Sequence, residues 1–357
     1  MSQLKMHPIH IDDTGFQNFQ EILRSFKNQK IFLLIDENTR AFCLPLIQPI
    51  LNNFKIIVIE INSGEVNKTI KTCEFIWEKL LIHQANRNSL LINLGGGVLT
   101  DIGGFVAATY KRGINFLNIP TTVLGAADAA IGGKTGVDFK MFKNQIGIFT
   151  TPTAVIINSD FFKTLPIRQV YSGLAEIIKS ALIADKELWQ VLLDKPVLQI
   201  MNWDHIINES VKVKTEIVLR DPFEQGDRKL LNFGHTIGHA IETFSLKYDE
   251  DPLLHGEAVA LGMICESYIS IKKLSLSQTE FDQILEYLFN HYHAYDIDSK
   301  RIDDIISLML QDKKNSDNLI NFTLISEIGK GVINQFIDAI EIRKALEFYI
   351  EYINITY

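Results

Sequence analysis

Cysteine is scarce. Three residues, Cys43, Cys73 and Cys265, stand far apart in 357 and form no CxxC pair. They support neither a disulfide framework nor a cysteine-based zinc knuckle, and suit small buried thiols in a reducing cytoplasm. No apolar run is long enough to span a bilayer. The opening "MSQLKMHPIHIDDTGF" has no apolar core of the secretory kind, so no leader is expected. Positive charge is not in excess either. A net charge of −8 and a pI near 5.6 argue against nucleic acid or an anionic membrane as the main partner, though a local basic pocket survives that argument. Internal repeats, low-complexity tracts and a Gly/Ser-rich linker are all missing. What remains is ordinary globular composition, 46% hydrophobic and 22% charged, at a length for one large or two ordinary domains.

The first half alternates. β-Branched runs at "KIFLLID", "FKIIVIEI", "SLLINL", "FLNIP" and "AVIIN" are separated in places by helical patterns such as "KTIKTCEFIWEKLLIHQ". Such alternation predicts an α/β domain with a mainly parallel sheet, over residues 1–165. From 166 to 357 the spacing turns helical, beginning at Pro166 and continuing through "DHIINESVKVKTEIVL", "HGEAVALGMICESYISIKKL" and "SQTEFDQILEYLFNHY". The last opens with Ser277 and Glu280, a capping-box pattern. One strand pair is expected at "NFTLI" and "VINQFI" in this mainly α-helical C-terminal domain. The cleft between the domains is the expected place for a ligand.

Two glycine-rich segments carry chemistry. In "LINLGGGVLTDIGGFVAATYKRG" an apolar strand runs through Gly95, Gly96 and Gly97 into a helix, whose free N–H groups and positive end suit a phosphate. The spacing is not GxGxxG, and a tight strand-to-helix turn explains the same glycines without a ligand. Asp101 is expected in the first helical turn. In "PTTVLGAADAAIGGKTGVDFKMFKNQIGIF", Asp128, Lys134, Lys143 and Asn144 stand among small residues, a setting for an anionic ligand.

"LNFGHTIGHA" raises the question of a metal. His235 and His239 share one helical face, which permits joint ligation, but Thr236 stands where a metalloprotease would carry its glutamate. Gly234 and Gly238 weaken a helix and call for a packing or functional reason, and Arg228 and Asn232 are read as polar groups of the same helix. His255 begins the next helix. Glu176, flanked by apolar residues, needs a cation, and Lys179 one turn on provides one without any metal. A catalytic zinc takes about three His/Glu ligands and one open position. Glu176, one histidine of this segment and His255 meet that need.

Seven motifs occur in one order: "GGGVLTD", "IPTT", "D..IGGKTGVD", "KNQIG", "SGLAEIIKSALI", "GDRKLLNFGHTIGHAIE" and "HGEAVALGM". Together they resemble the 3-dehydroquinate synthase family, from about Asp36 to the "DKKN" near Lys313. The resemblance implies a Rossmann-like N-terminal domain for NAD and a helical domain for metal and substrate. It implies zinc or cobalt on Glu176, His235 and His255, with His239 a catalytic residue rather than a ligand. NAD contacts are implied for Asp36, Asn38, Glu65, Lys68, Gly95, Gly96, Gly97, Asp101, Thr121 and Thr122, with Lys134 and Lys143 nearby. Substrate contacts are implied for Asp128, Lys134, Lys143, Asn144, Lys179, Lys214, Arg228, Asn232 and His239. Arg112 is implied to reach the partner's site of a homodimer, and one of Lys313 and Lys314 to close over phosphate. Thr100 and Ala129–Ala130 depart from the usual pattern without removing a charged or metal-binding group.

The reaction so implied converts 3-deoxy-D-arabino-heptulosonate 7-phosphate to 3-dehydroquinate and phosphate, a step of the shikimate pathway. The carbon-5 hydroxyl is oxidised by NAD, phosphate leaves by β-elimination, the hydride returns, and ring opening and an aldol closure follow. His239, Lys134, Asn232, Arg228 and Lys179 are the expected catalytic set. The alternatives are another sugar-phosphate cyclase, a metal-dependent polyol or glycerol dehydrogenase with a similar glycine loop, and a binding protein that kept the fold.

Overall fold

The computed structural model describes residues 7–11, 13–140, 142–194, 203–312 and 319–356. The chain divides into two compact units. One holds the residues up to Val170 and the stretch ending at Val211; the other holds the rest.

The first unit is built on β1 (Ile9–Ile11), β2 (Ile31–Asp36), β3 (Ile56–Ile61), β4 (Leu90–Gly95), β5 (Asn115–Pro120) and, after a hairpin of β6 (Lys134–Phe139) and β7 (Phe142–Phe149), β8 (Ala154–Ile157). The six sheet strands lie in the order β1-β8-β5-β4-β2-β3, all parallel. β4 is buried throughout and β2 at all but its last residue, as a sheet covered on both faces requires. Helices α1 (Asp13–Ser25), α2 (Glu37–Phe42), α3 (Leu44–Leu51), α4 (Ile70–Ile82) and α5 (Gly97–Thr109) connect them. The chain passes from β2 outward to β3, then back across β2 to β4. The strand order therefore reverses between β2 and β4, and sheets of this kind bind ligands at the carboxyl ends flanking such a reversal. Asp36 ends β2 and Gly95 ends β4.

Two elements here were not legible in the sequence. β1 is only three residues long, and in the β6–β7 hairpin a glycine in each strand, Gly136 and Gly147, interrupts the apolar pattern. Asp101 is also not in the first turn of α5 but is its fifth residue, because the helix starts at Gly97.

The second unit contains most of α6 (Ile167–Ala184), then α7 (Lys186–Asp194), the end of α8 (Trp203–Arg220), α9 (His235–Tyr248), α10 (His255–Leu274), α11 (Gln278–His291), α12 (Ile302–Asp312), the antiparallel pair β9 (Leu319–Glu327) and β10 (Lys330–Asp338), and α13 (Ala339–Thr356). Arg228 and Asn232 do not share the histidine helix. They lie in a 3-10 segment, Asp227–Asn232, and the chain then turns at Gly234, whose φ of +78° ends one helix and caps the next. At α11 the Ser277 hydroxyl accepts the Glu280 N–H, but the Glu280 carboxylate takes the Ser277 hydroxyl and the Ile328 N–H, so the reciprocal half of the box is missing.

Candidate active site

In the first unit the polar residues around the strand reversal are tied into the fold. Asp36 caps α2, its Oδ1 accepting the Thr39 N–H at 2.7 Å, while Asn38 is exposed on that helix. The buried Thr121 donates its N–H to the Gly95 carbonyl at 3.1 Å, and the Thr122 hydroxyl accepts the Gly125 N–H at 3.0 Å. A Cβ on Gly95 would sit 2.1 Å from Leu99 Cδ1, so packing alone demands that glycine. No side chain caps α5 at Gly96, which leaves its opening N–H groups for an anion.

Glu65, Lys68, Asp101, Lys143 and Asn144 converge. Lys68, 4% exposed, donates to Asp101 Oδ2 and Asn144 Oδ1, each at 2.6 Å. Glu65 Oε1 lies 3.9 Å from Lys68 Nζ and 4.0 Å from Lys143 Nζ. Burial works against the Lys68 ammonium, but Asp101 and Glu65 outweigh it and raise its pKa. The same lysine thus joins the start of α5 to the hairpin, where Asn144 (φ +53°) donates its N–H to Asp138 at 2.8 Å. Asp128 lies in the turn Gly125–Ala129, and Lys134 is exposed at the start of β6. Arg112 is exposed on a loop where Lys111, Arg112 and Gly113 all have positive φ.

The centre of the second unit is built differently. Glu176 and Lys179, one turn apart on α6, are 1% and 2% exposed and form an ion pair through Oε2. The other oxygen, Oε1, is buried without a hydrogen-bond partner. It lies 3.5 Å from His235 Nε2 and 3.3 Å from His255 Nε2. One nitrogen each of His235, His239 and His255 lies within 4.8 Å of the others, so the geometry alone offers a three-histidine set beside the glutamate. Burial opposes ionisation of Glu176, but Lys179 and the histidines hold its pKa well below the usual range. Burial, reinforced by Lys179, lowers His235 and keeps it neutral. Burial opposes the charge on His255, yet Glu176 and Glu242 raise its pKa to about 10. A proton on His255 therefore stands where a cation would satisfy Glu176 Oε1.

The buried Arg228 donates through Nη1 to the Pro222 carbonyl at 2.7 Å, and Lys214 is buried as well. Asn232 donates to Glu224 Oε1 at 2.8 Å. Glu224 was missed by sequence reasoning, as were Glu242, 3.3 Å from His255 Nδ1, and the fully buried Glu266. Glu266 left a signal: a lone carboxylate amid the apolar run of α10. Lys313 and Lys314 lie outside the described residues.

A doubly wound nucleotide-type sheet and a helical unit with a buried carboxylate, a buried lysine and three convergent histidines define a class, that of small-molecule enzymes of nucleotide- and metal-dependent design. The N-terminal part of the 3-dehydroquinate synthase family matches residues 58–172 and its C-terminal part residues 173–315. The chain is 42% identical over 334 residues to a 3-dehydroquinate synthase of Parabacteroides distasonis, covering 93% of this chain and 94% of that one. It is 40% identical over 352 residues to one of Streptococcus thermophilus, covering 96% and 98%. Among solved structures it resembles 2-epi-5-epi-valiolone synthase of Streptomyces hygroscopicus, which has NAD+ and Zn2+ bound, with a TM-score of 0.84, 26% identity and 99% of each chain covered. The chain belongs to the 3-dehydroquinate synthase family, and is a phosphate-eliminating lyase rather than a polyol dehydrogenase.

Proposed function

We propose that the chain turns 3-deoxy-D-arabino-heptulosonate 7-phosphate into 3-dehydroquinate and phosphate using residues 1–165 to hold NAD and 166–357 to hold one divalent metal and much of the substrate. The observation that carries this is Glu176 Oε1, a buried carboxylate oxygen outside hydrogen-bond geometry that faces two imidazole nitrogens. Glu176, His235 and His255 fit zinc or cobalt there. The bound nicotinamide would supply reversible hydride acceptance, and the metal Lewis acidity at the reacting oxygens.

The protein's own groups do the rest. Asp36, Asn38, Glu65, Lys68, Asp101, Thr121, Thr122 and the Gly95–Gly97 turn hold the dinucleotide, its phosphates facing the uncapped start of α5. Asp128, Lys134, Lys143 and Asn144 bind the substrate from one set, and Lys179, Lys214, Arg228 and Asn232 from another. Cationic groups at both anionic ends of a small substrate fix its orientation. His239, exposed and 5.1 Å ring to ring from His235, moves the proton of the carbon-5 hydroxyl together with Asn232. The leaving phosphate takes the carbon-6 proton, so the elimination needs no protein base of its own. We assign the chain to a homodimer in which Arg112 meets the partner's site. We place it in the cytoplasm, which suits three buried free cysteines. Among the described residues no helix is long and apolar enough to cross a membrane.

A cyclase for a substrate without a carboxylate is the second reading; the likeness to the valiolone synthase, at 26% identity against 42% to a 3-dehydroquinate synthase, does not favour it. Phosphate release decides. With catalytic NAD and zinc, the heptulosonate phosphate should release phosphate without NADH accumulating; chelator should stop it and zinc restore it. Release from sedoheptulose 7-phosphate instead would favour the second reading. NADH formation from a polyol alone would remove both.

A further inference from the structure

We propose that Glu266 is a positioning residue for His235, acting through the peptide that joins Phe233 to Gly234. The proposal rests on the reading of His235 as a metal ligand. Glu266 is 0% exposed, about three turns along α10 from His255. A carboxylate so placed is costly unless its oxygens receive donors. Oε2 accepts the Gly234 N–H at 2.6 Å and Oε1 the Ile237 N–H at 3.1 Å. These are two of the donors that the start of α9 leaves without an intrahelical partner. A local cap is barred, because a Cβ on Gly234 would sit 2.5 Å from Met263 Cγ and 2.9 Å from the Val259 carbonyl oxygen. The neighbouring helix supplies the cap instead.

The N–H of Gly234 and the carbonyl of Phe233 are two ends of one planar unit. Glu266 holds the N–H end. His235 Nδ1 lies 3.1 Å from the carbonyl end. Donation from Nδ1–H to that carbonyl leaves the lone pair on Nε2, the nitrogen that faces Glu176. A charged acceptor on the N–H polarises the peptide and makes its carbonyl a better acceptor in turn. Metal-binding imidazoles are usually oriented by a carboxylate or a backbone carbonyl. For His255 the carboxylate is direct, through Glu242; for His235 the carbonyl and the carboxylate stand in series.

The test compares Glu266→Gln, Glu266→Met and Glu176→Gln in the full chain with the original protein. Zinc affinity is read by chelator competition, the ligand field by the visible absorption of the cobalt form, and the fold by melting of the metal-free chain. Zinc affinity should fall about 10–100-fold, less for Gln than for Met, and the cobalt band should shift. Unchanged zinc affinity and cobalt spectrum in a folded Glu266 variant, with Glu176→Gln losing zinc, would overturn this proposal alone and leave Glu266 a helix cap. Wild-type zinc affinity in Glu176→Gln would overturn the metal assignment and the proposal with it. If neither Glu266 variant folds, nitrogen NMR of the metal-free original chain decides: a proton on Nδ1 of neutral His235 supports the relay, and one on Nε2 refutes it.

Discussion

Lys68 and Lys179 are both buried lysines paired with a carboxylate, and their surroundings differ in one respect. Around Lys68 the set closes on itself: Asp101, Asn144 and Glu65 all face the ammonium, and the hairpin is held by the result. Around Lys179 the set stays open, since Glu176 gives one oxygen to the lysine and turns the other toward imidazoles. The closed set fixes a loop. In the open set a proton on His255 answers Glu176 Oε1, and a metal would take the place of that proton.

The largest expected effect tests which donors belong to the open set. His239→Ala should lower kcat about 100- to 10,000-fold while zinc content stays stoichiometric. Loss of zinc along with activity would place His239 among the ligands and return the centre to its three-histidine reading. Next comes the lysine comparison itself. Lys68→Met and Lys179→Met each strand a largely buried carboxylate, at a cost of about 3–5 kcal/mol, with Lys68→Met toward the lower end because Asp101 is 18% exposed. Denaturant titrations with and without zinc should separate them: zinc should restore much of the loss in Lys179→Met and none in Lys68→Met. Equal responses to zinc would mean that the two sets are not different in kind.

The same contrast marks what was legible in the sequence. Strand runs such as "SLLINL" are apolar and flanked by helical spacing, so five strands of the parallel sheet could be read to within a residue or two. Glu176 beside Lys179 could be read either as a helix-face pair or as a ligand, and the structure shows why: it pairs through one oxygen and leaves the other. Three-residue β1 offers too few positions for a period, and the glycines of β6–β7 conceal their pairing. In the sequence Gly234 reads as a weak point inside one helix that calls for a packing or functional reason. Only tertiary contact with α10 shows that no side chain fits there.

Among the described residues of the first unit, His7 breaks the pattern of closure, as the buried Asn93 Oδ1 and Tyr110 Oη also do. Neither ring nitrogen of the buried His7 has a hydrogen-bond partner, and burial pushes its pKa down from 6.5 to about 4. In the folded chain it is neutral, whereas the unfolded chain binds a proton below pH 6.5. Its stabilisation is therefore complete above pH 6.5 and is lost as pH falls to about 4, by about 3 kcal/mol at most. The stability difference between His7→Phe and the original chain, measured by urea titration across that range, should change by this amount. Parallel profiles would show that His7 titrates normally.

The smallest effect sharpens the comparison at the level of helix starts. α11 is capped from within, by the Ser277 hydroxyl accepting the Glu280 N–H at 3.2 Å. α9 is capped from another helix, by Glu266. Ser277→Ala should cost about 1 kcal/mol, the ordinary value of a local cap, and leave zinc affinity unchanged. A local cap holds only its own helix, so its loss frays one turn. A cap supplied across two histidine-bearing helices ties the spacing of His235 and His255 to helix geometry. Should Ser277→Ala weaken zinc binding as much as a Glu266 substitution, the metal centre would be responding to general loosening of the unit, and the relay through the Phe233–Gly234 peptide would lose its claim to be specific.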